Sequence, residues 1–82
     1  MGNVVTVEAV EARVREILAE LGTDLEEIDR DATFESLDVD SLDLVELGQI
    51  IEEEYGIELT TEDAQQLRTV GQAIDLITQR AQ

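Results

Sequence analysis

Val7, Val10, Val14, Ile17, Leu18 and Leu21 recur at steps of three and four residues, and the run stops at Gly22. A strand would bring every second residue to one face. This spacing instead lays the aliphatics along one stripe of a helix, with Glu8, Glu11, Arg15 and Glu16 between them on the water side. It predicts an amphipathic helix closed by a glycine C-cap. The same pattern returns twice. Leu44, Leu47, Ile51 and Tyr55, with Ile50 at the edge, share one sector of a helix predicted from about Ser41 to Tyr55, and Val70, Ala73, Ile74 and Ile77 form the inner stripe of a last helix.

Cap chemistry sets the boundaries. Asp40 is the expected N-cap of the second helix, with Asp43 three residues on and Gly56 as its end. Thr60 and Asp63 repeat that spacing at the head of a short helical piece ending near Leu67, and Thr69 and Gln72 match the capping box that opens the last helix. From Thr23 to Asp40 the periodicity fails. Leu25, Ile28, Phe34 and Leu37 are expected to pin a long loop there to the core, and a loop of that length in so small a domain points to a functional role. With no strand-like alternation, the expected fold is all-α: a small four-helix bundle of three longer helices and one short one, with a long loop after the first helix. A single domain is expected over residues 1–82.

Composition narrows the function. Hydrophobic residues make up 43% of the chain and aromatics 2%, so the core must be aliphatic, with Phe34 and Tyr55 as its rings. Twenty-one acids against five arginines give a net charge of -16, which repels nucleic acid and anionic lipid and suits basic patches on other proteins. The same charge predicts a monomer. The absence of cysteine and histidine removes disulfides, thiolate nucleophiles, imidazole bases and zinc ligands together. Paired carboxylates acting as acid and base are a poor alternative, because the acids lie along solvated helix faces where no burial separates their pKa values. Asp38 and Asp40 imitate the first ligands of a calcium loop, but its fifth position is Leu42, its sixth Asp43 in place of glycine, and its twelfth Gln49 in place of glutamate. Neither catalytic residues nor a metal site is expected. The opening MGNVVTVEAVEARV has no basic flank or apolar core of signal-peptide length, and no apolar run is long enough for a bilayer, which predicts cytoplasmic residence.

The second helix has a second face. Ser41, Leu42, Val45 and Gln49 fall opposite the core sector, interleaved with Glu46, Glu52 and Glu53. Burying Leu42 and Val45 would carry Ser41 and Glu46 inward, and unpaired buried carboxylates are costly. An apolar centre inside a charged rim is how a transient protein-docking surface is built. A serine at a helix start is usually the cap. Here Asp40 can supply that cap, which leaves the Ser41 hydroxyl free at the positive end of the helix dipole. A phosphate ester would sit well there, although the flanking acids mean that it must be attached covalently to stay.

The register of DSLDLVEL, IIEEEYGIEL and TEDAQQLRTVGQAIDLI resembles the acyl carrier protein family, specifically its discrete bacterial carriers of fatty-acid or polyketide synthesis, from Phe34 onward. The resemblance implies that Ser41, within the triplet Asp40, Ser41, Leu42, receives 4′-phosphopantetheine from coenzyme A through a phosphopantetheinyl transferase. Acyl groups would then ride as thioesters on that arm. It implies a docking face of Asp38, Leu42, Asp43, Val45, Glu46, Gln49, Glu52 and Glu53 for ketosynthase, acyltransferase and other synthase enzymes. Phe34, Leu37, Leu47, Ile51, Leu67, Ile74 and Ile77 would line the acyl cleft. Gly48 and Gln49 depart from the Val-Met pair usual in fatty-acid carriers, and with the lysine-free composition this leans toward a specialised-metabolite carrier. The alternative is an unmodified acidic helical adaptor that binds basic partners through the same face.

Overall fold

The computed structural model describes residues 5–81; the start of the N-terminal stretch read above, residues 1–4, lies outside them. Four helices follow one another: α1 (Val7–Glu20), α2 (Ser41–Tyr55), α3 (Thr61–Gln66) and α4 (Val70–Ala81). The expected all-α bundle of three longer helices and one short one is present, with the long connection between α1 and α2. A single 3-10 turn, Leu25–Glu27, interrupts that connection.

Each boundary follows from local chemistry. Thr6 caps α1 by accepting from the Ala9 N–H at 3.1 Å. At its other end the Gly22 N–H donates to the Ala19 carbonyl and the Thr23 N–H to the Leu18 carbonyl, both at 3.0 Å. That pairing needs a left-handed residue, which Gly22 supplies at φ 105°. Gly56 also ends α2 in the left-handed region, at φ 66°, but through a single bond from its N–H to the Glu52 carbonyl. Thr60 and Asp63 form a reciprocal capping box on α3, and Thr69 and Gln72 form another on α4, with Gln72 Oε1 also accepting the Arg68 N–H at 2.8 Å.

The core is aliphatic, as composition requires. Val10, Val14, Ile17 and Leu18 from α1 meet Leu47 and Ile51 from α2 and Val70, Ala73, Ile74 and Ile77 from α4, and α1 packs most extensively on α4. Thr78 is the buried polar side chain, and its hydroxyl donates to the Ile74 carbonyl at 2.7 Å. Arg13 joins α1 to α2 through a two-pronged contact with the Glu54 carboxylate at 2.7 and 2.6 Å, which holds that carboxyl below its ordinary pKa.

The long connection is more ordered than its aperiodic sequence suggests. Ile28, Phe34, Leu37 and Val39 are buried, whereas Leu25, expected as an anchor, is half exposed. The one-turn 3-10 segment has no buried residue. Ile28 supplies the anchor, and Leu25 instead lines a shallow groove beside Ala12 and Ala19 of α1. The connection also pairs with the chain between α3 and α4. The Phe34 N–H donates to the Arg68 carbonyl, the Val70 N–H to Ala32 and the Gly71 N–H to Arg30, at 3.0, 3.0 and 2.9 Å, around a lone antiparallel bridge between Thr33 and Thr69. Arg30 adds an ion pair to Asp75 of α4 at 2.8 Å. Among the described residues no helix is long and apolar enough to cross a membrane.

Candidate functional site

The chain reverses sharply just before α2. Asp38 stands at φ 59°, a conformation that aspartate tolerates better than most side chains. The Leu37 and Val39 N–H groups both donate to the Phe34 carbonyl, at 3.2 and 2.9 Å, so two apolar residues flanking Asp38 are buried while Asp38 and Asp40 remain in water. Asp40 then caps the helix, its Oδ1 accepting the Asp43 N–H at 3.0 Å. Ser41 follows as the first helical residue, exposed and relieved of capping by Asp40. Its own N–H and that of Leu42 belong to the helix end that has no intrahelical acceptors.

Beyond Ser41, Leu42 is 76% exposed and Val45 53% exposed. Glu46, Gln49 and Glu53 are exposed around them and Asp43 is half buried, so the apolar spot lies inside an acidic rim. Glu52, expected in the docking face, has a second contact. It is half buried, and its Oε2 accepts the Leu59 N–H at 2.7 Å, so this carboxylate fastens the chain entering α3 to α2.

Between α2 and α3 lies a cleft of about 240 Å³. Phe34, Leu47, Ile51, Ala73 and Ile77 are its buried lining; Val45, Gln49, Thr60 and Thr61 are its exposed margin. Leu44, Gly48, Glu52, Leu59, Ala64 and Leu67 stand half buried between the two. Leu37 and Ile74, expected in the lining, do not border this cleft: Leu37 is buried at the reversal by Asp38, and Ile74 is fully enclosed. Leu59 and Ala64 were missed because they lie on a connection and a helix too short to show a period. Gly48 stood out in the sequence as a departure from the Val-Met pair and not as part of a cleft.

The α3 wall carries no fully buried residue. Besides the Glu52 tie, Arg80 at the end of α4 holds it, donating to the Glu58 carbonyl at 3.0 Å and to both oxygens of Asp63. The Arg80 hydrogen bond, helped by the Thr60 N–H, lowers the Asp63 pKa from 3.8 to about 2.

A family model described as a phosphopantetheine attachment site matches residues 12–77. Among solved structures, the chain is similar to an acyl carrier protein from Thermotoga maritima, at 31% identity over 90% of this chain and 88% of that one, with a TM-score of 0.80. It is also similar to an acyl carrier protein from Enterococcus faecalis, at 28% identity over 92% and 98% of the two chains, with a TM-score of 0.77.

Proposed function

We propose, from the premise that this chain belongs to the acyl carrier protein family, that it holds acyl intermediates on a 4′-phosphopantetheine arm at Ser41 and delivers them to enzymes of polyketide or fatty-acid biosynthesis. The observation that carries the assignment to Ser41 is its position: first residue of α2, exposed, with the cap already made by Asp40. The family carries and does not catalyse, and the arm supplies the thiol that a chain without cysteine lacks.

The residues present fit such a group. A phosphodiester on the Ser41 oxygen would meet the unsatisfied N–H groups of Ser41 and Leu42 at the positive end of α2. Leu44 and Val45, which border the cleft, stand about one turn, or roughly 5 Å of helix rise, beyond Ser41. An acyl chain at the far end of the arm therefore has apolar shelter on the same helix. Asp38, Leu42, Asp43, Val45, Glu46, Gln49 and Glu53 form the face offered to a phosphopantetheinyl transferase and then to ketosynthases, acyltransferases and other synthase enzymes. The exposed leucine and valine supply a small contact and the acids steer basic patches toward it, which suits fast, weak association. Glu52 serves this face less, because its carboxylate is engaged with Leu59.

The test is intact mass after incubation with coenzyme A, magnesium and a broad-specificity phosphopantetheinyl transferase, beside Ser41→Ala. One added phosphopantetheine in the parent alone is expected. A Ser41→Ala variant that still gains the arm would move the attachment elsewhere. No gain in a folded parent, with the transferase active on another carrier, would leave the unmodified adaptor.

A further inference from the structure

Gly48 lies in the interior of α2, where only proline is a worse helix former. Its backbone does not need glycine, since among the described residues the positive φ angles belong to Gly22, Gly56 and Asp38. Crowding does not need it either. A Cβ built there meets nothing closer than Leu59 Cδ1, at 4.0 Å, which is ordinary contact. What the missing side chain does leave is room in the cleft, midway between the exposed margin at Val45 and Gln49 and the buried lining at Leu47 and Ile51.

We infer that Gly48 is the specificity-determining residue of this carrier: by leaving the α2 wall open opposite Leu59, it sets the length of the saturated acyl chain that the cleft can shelter. The inference rests on the carrier reading. A cavity of about 150 Å³ accepts benzene, or about 25 Å³ per carbon. On that scale the cleft of about 240 Å³ houses about ten carbons. A leucine at residue 48 would put about four carbons into it and leave space for about six. The lining that such a chain would touch, Phe34, Leu47, Ile51 and Ile77, is apolar throughout.

The experiment loads the parent, Gly48→Ala and Gly48→Leu with saturated acyl-pantetheine arms of increasing length and records the melting temperature of each. In the parent, melting should rise with each carbon buried and level off near about ten. Gly48→Leu should level about four carbons earlier and Gly48→Ala about one carbon earlier, so the shift scales with the added side chain. The alanine variant carries the comparison if leucine prevents folding. Identical plateaus in parent and variants would overturn the role of Gly48. A melting temperature indifferent to chain length in a loaded parent would overturn the cleft as shelter while leaving the carrier intact. Failure of the parent to load at all would instead strike the carrier reading itself.

Discussion

The same substitution, glycine to alanine, should have opposite effects in two helices of this protein. In α2, Gly48→Ala adds a methyl in ordinary contact with Leu59 Cδ1 at 4.0 Å and removes the conformational cost of a mid-helix glycine. The expected gain is about 1 kcal/mol. In α4, a Cβ at Gly71 would lie 2.9 Å from the Arg30 carbonyl oxygen and 3.3 Å from Arg30 Cβ. That oxygen cannot simply retreat, because it accepts the Gly71 N–H at 2.9 Å in a ladder continued by Val70 to Ala32 and Phe34 to Arg68. Overpacking costs about 1–3 kcal/mol and a strained hydrogen bond up to about 1 more, against a propensity gain of about 1 at most. The net loss should be about 0–3 kcal/mol, with a midpoint of about 1.5. In a domain of this size each kcal/mol moves the melting temperature by about 4–8 °C. Gly48→Ala should therefore melt about 4–8 °C higher than the parent, and Gly71→Ala lower than the parent, by about 6–12 °C at the middle of its range. Urea unfolding followed by far-ultraviolet circular dichroism gives the free energies, with unchanged m-values showing that the denatured state is the same. Two upward shifts would refute the reasoning, because helix propensity alone would then govern both sites, and two downward shifts would refute the open space at Gly48.

Asp63→Asn tests the fastening of α3. The folded-state pKa of about 2 lies below the ordinary 3.8, so the stabilisation is complete above about pH 4 and vanishes as pH falls through about 2. The parent should outmelt the variant at neutral pH and lose that advantage between about pH 4 and 2, and a difference constant across that range would detach the effect from the carboxylate. Glu46→Lys combined with Glu53→Lys should slow acyl transfer to a partner enzyme about tenfold or more at low salt, with the loss shrinking as salt screens the field. Unchanged transfer rates at low salt would take these acids off the docking face.

The caps of α2, α3 and α4 could be read from the sequence, whereas the Thr6 cap of α1 was not. The Asp40–Asp43, Thr60–Asp63 and Thr69–Gln72 caps all depend on a reach of three residues, and the aliphatic stripes of α1 and α4 follow from helical period. The apolar exposure of Leu42 and Val45 was legible for the same reason. What else the sequence hid involves partners far apart in the chain. Nothing near Ala32 announces Val70, and nothing in Glu52 distinguishes a carboxylate that will accept the Leu59 N–H from one that will face water. Leu37 is placed in the cleft by the family resemblance alone. Its burial in the core depends on the left-handed turn at Asp38, a backbone choice with no glycine to signal it.

The way α3 is held divides the bundle into two levels of native-state stability. α1, α2 and α4 share the buried aliphatic side chains, so their amides should open to solvent chiefly when the whole domain unfolds. α3 hangs on the Glu52, Asp63 and Arg80 ties and on half-buried Ala64 and Leu67, none of which belongs to that fully buried set. Such a segment is expected to open as a separate foldon, at a free energy below that of global unfolding, which faster amide exchange in α3 than in α1, α2 and α4 would show. One wall of the cleft can then open while the block that presents Ser41 stays folded, so on the carrier reading proposed above the entry and exit of a chain would draw on a local equilibrium and leave the rest of the protein native.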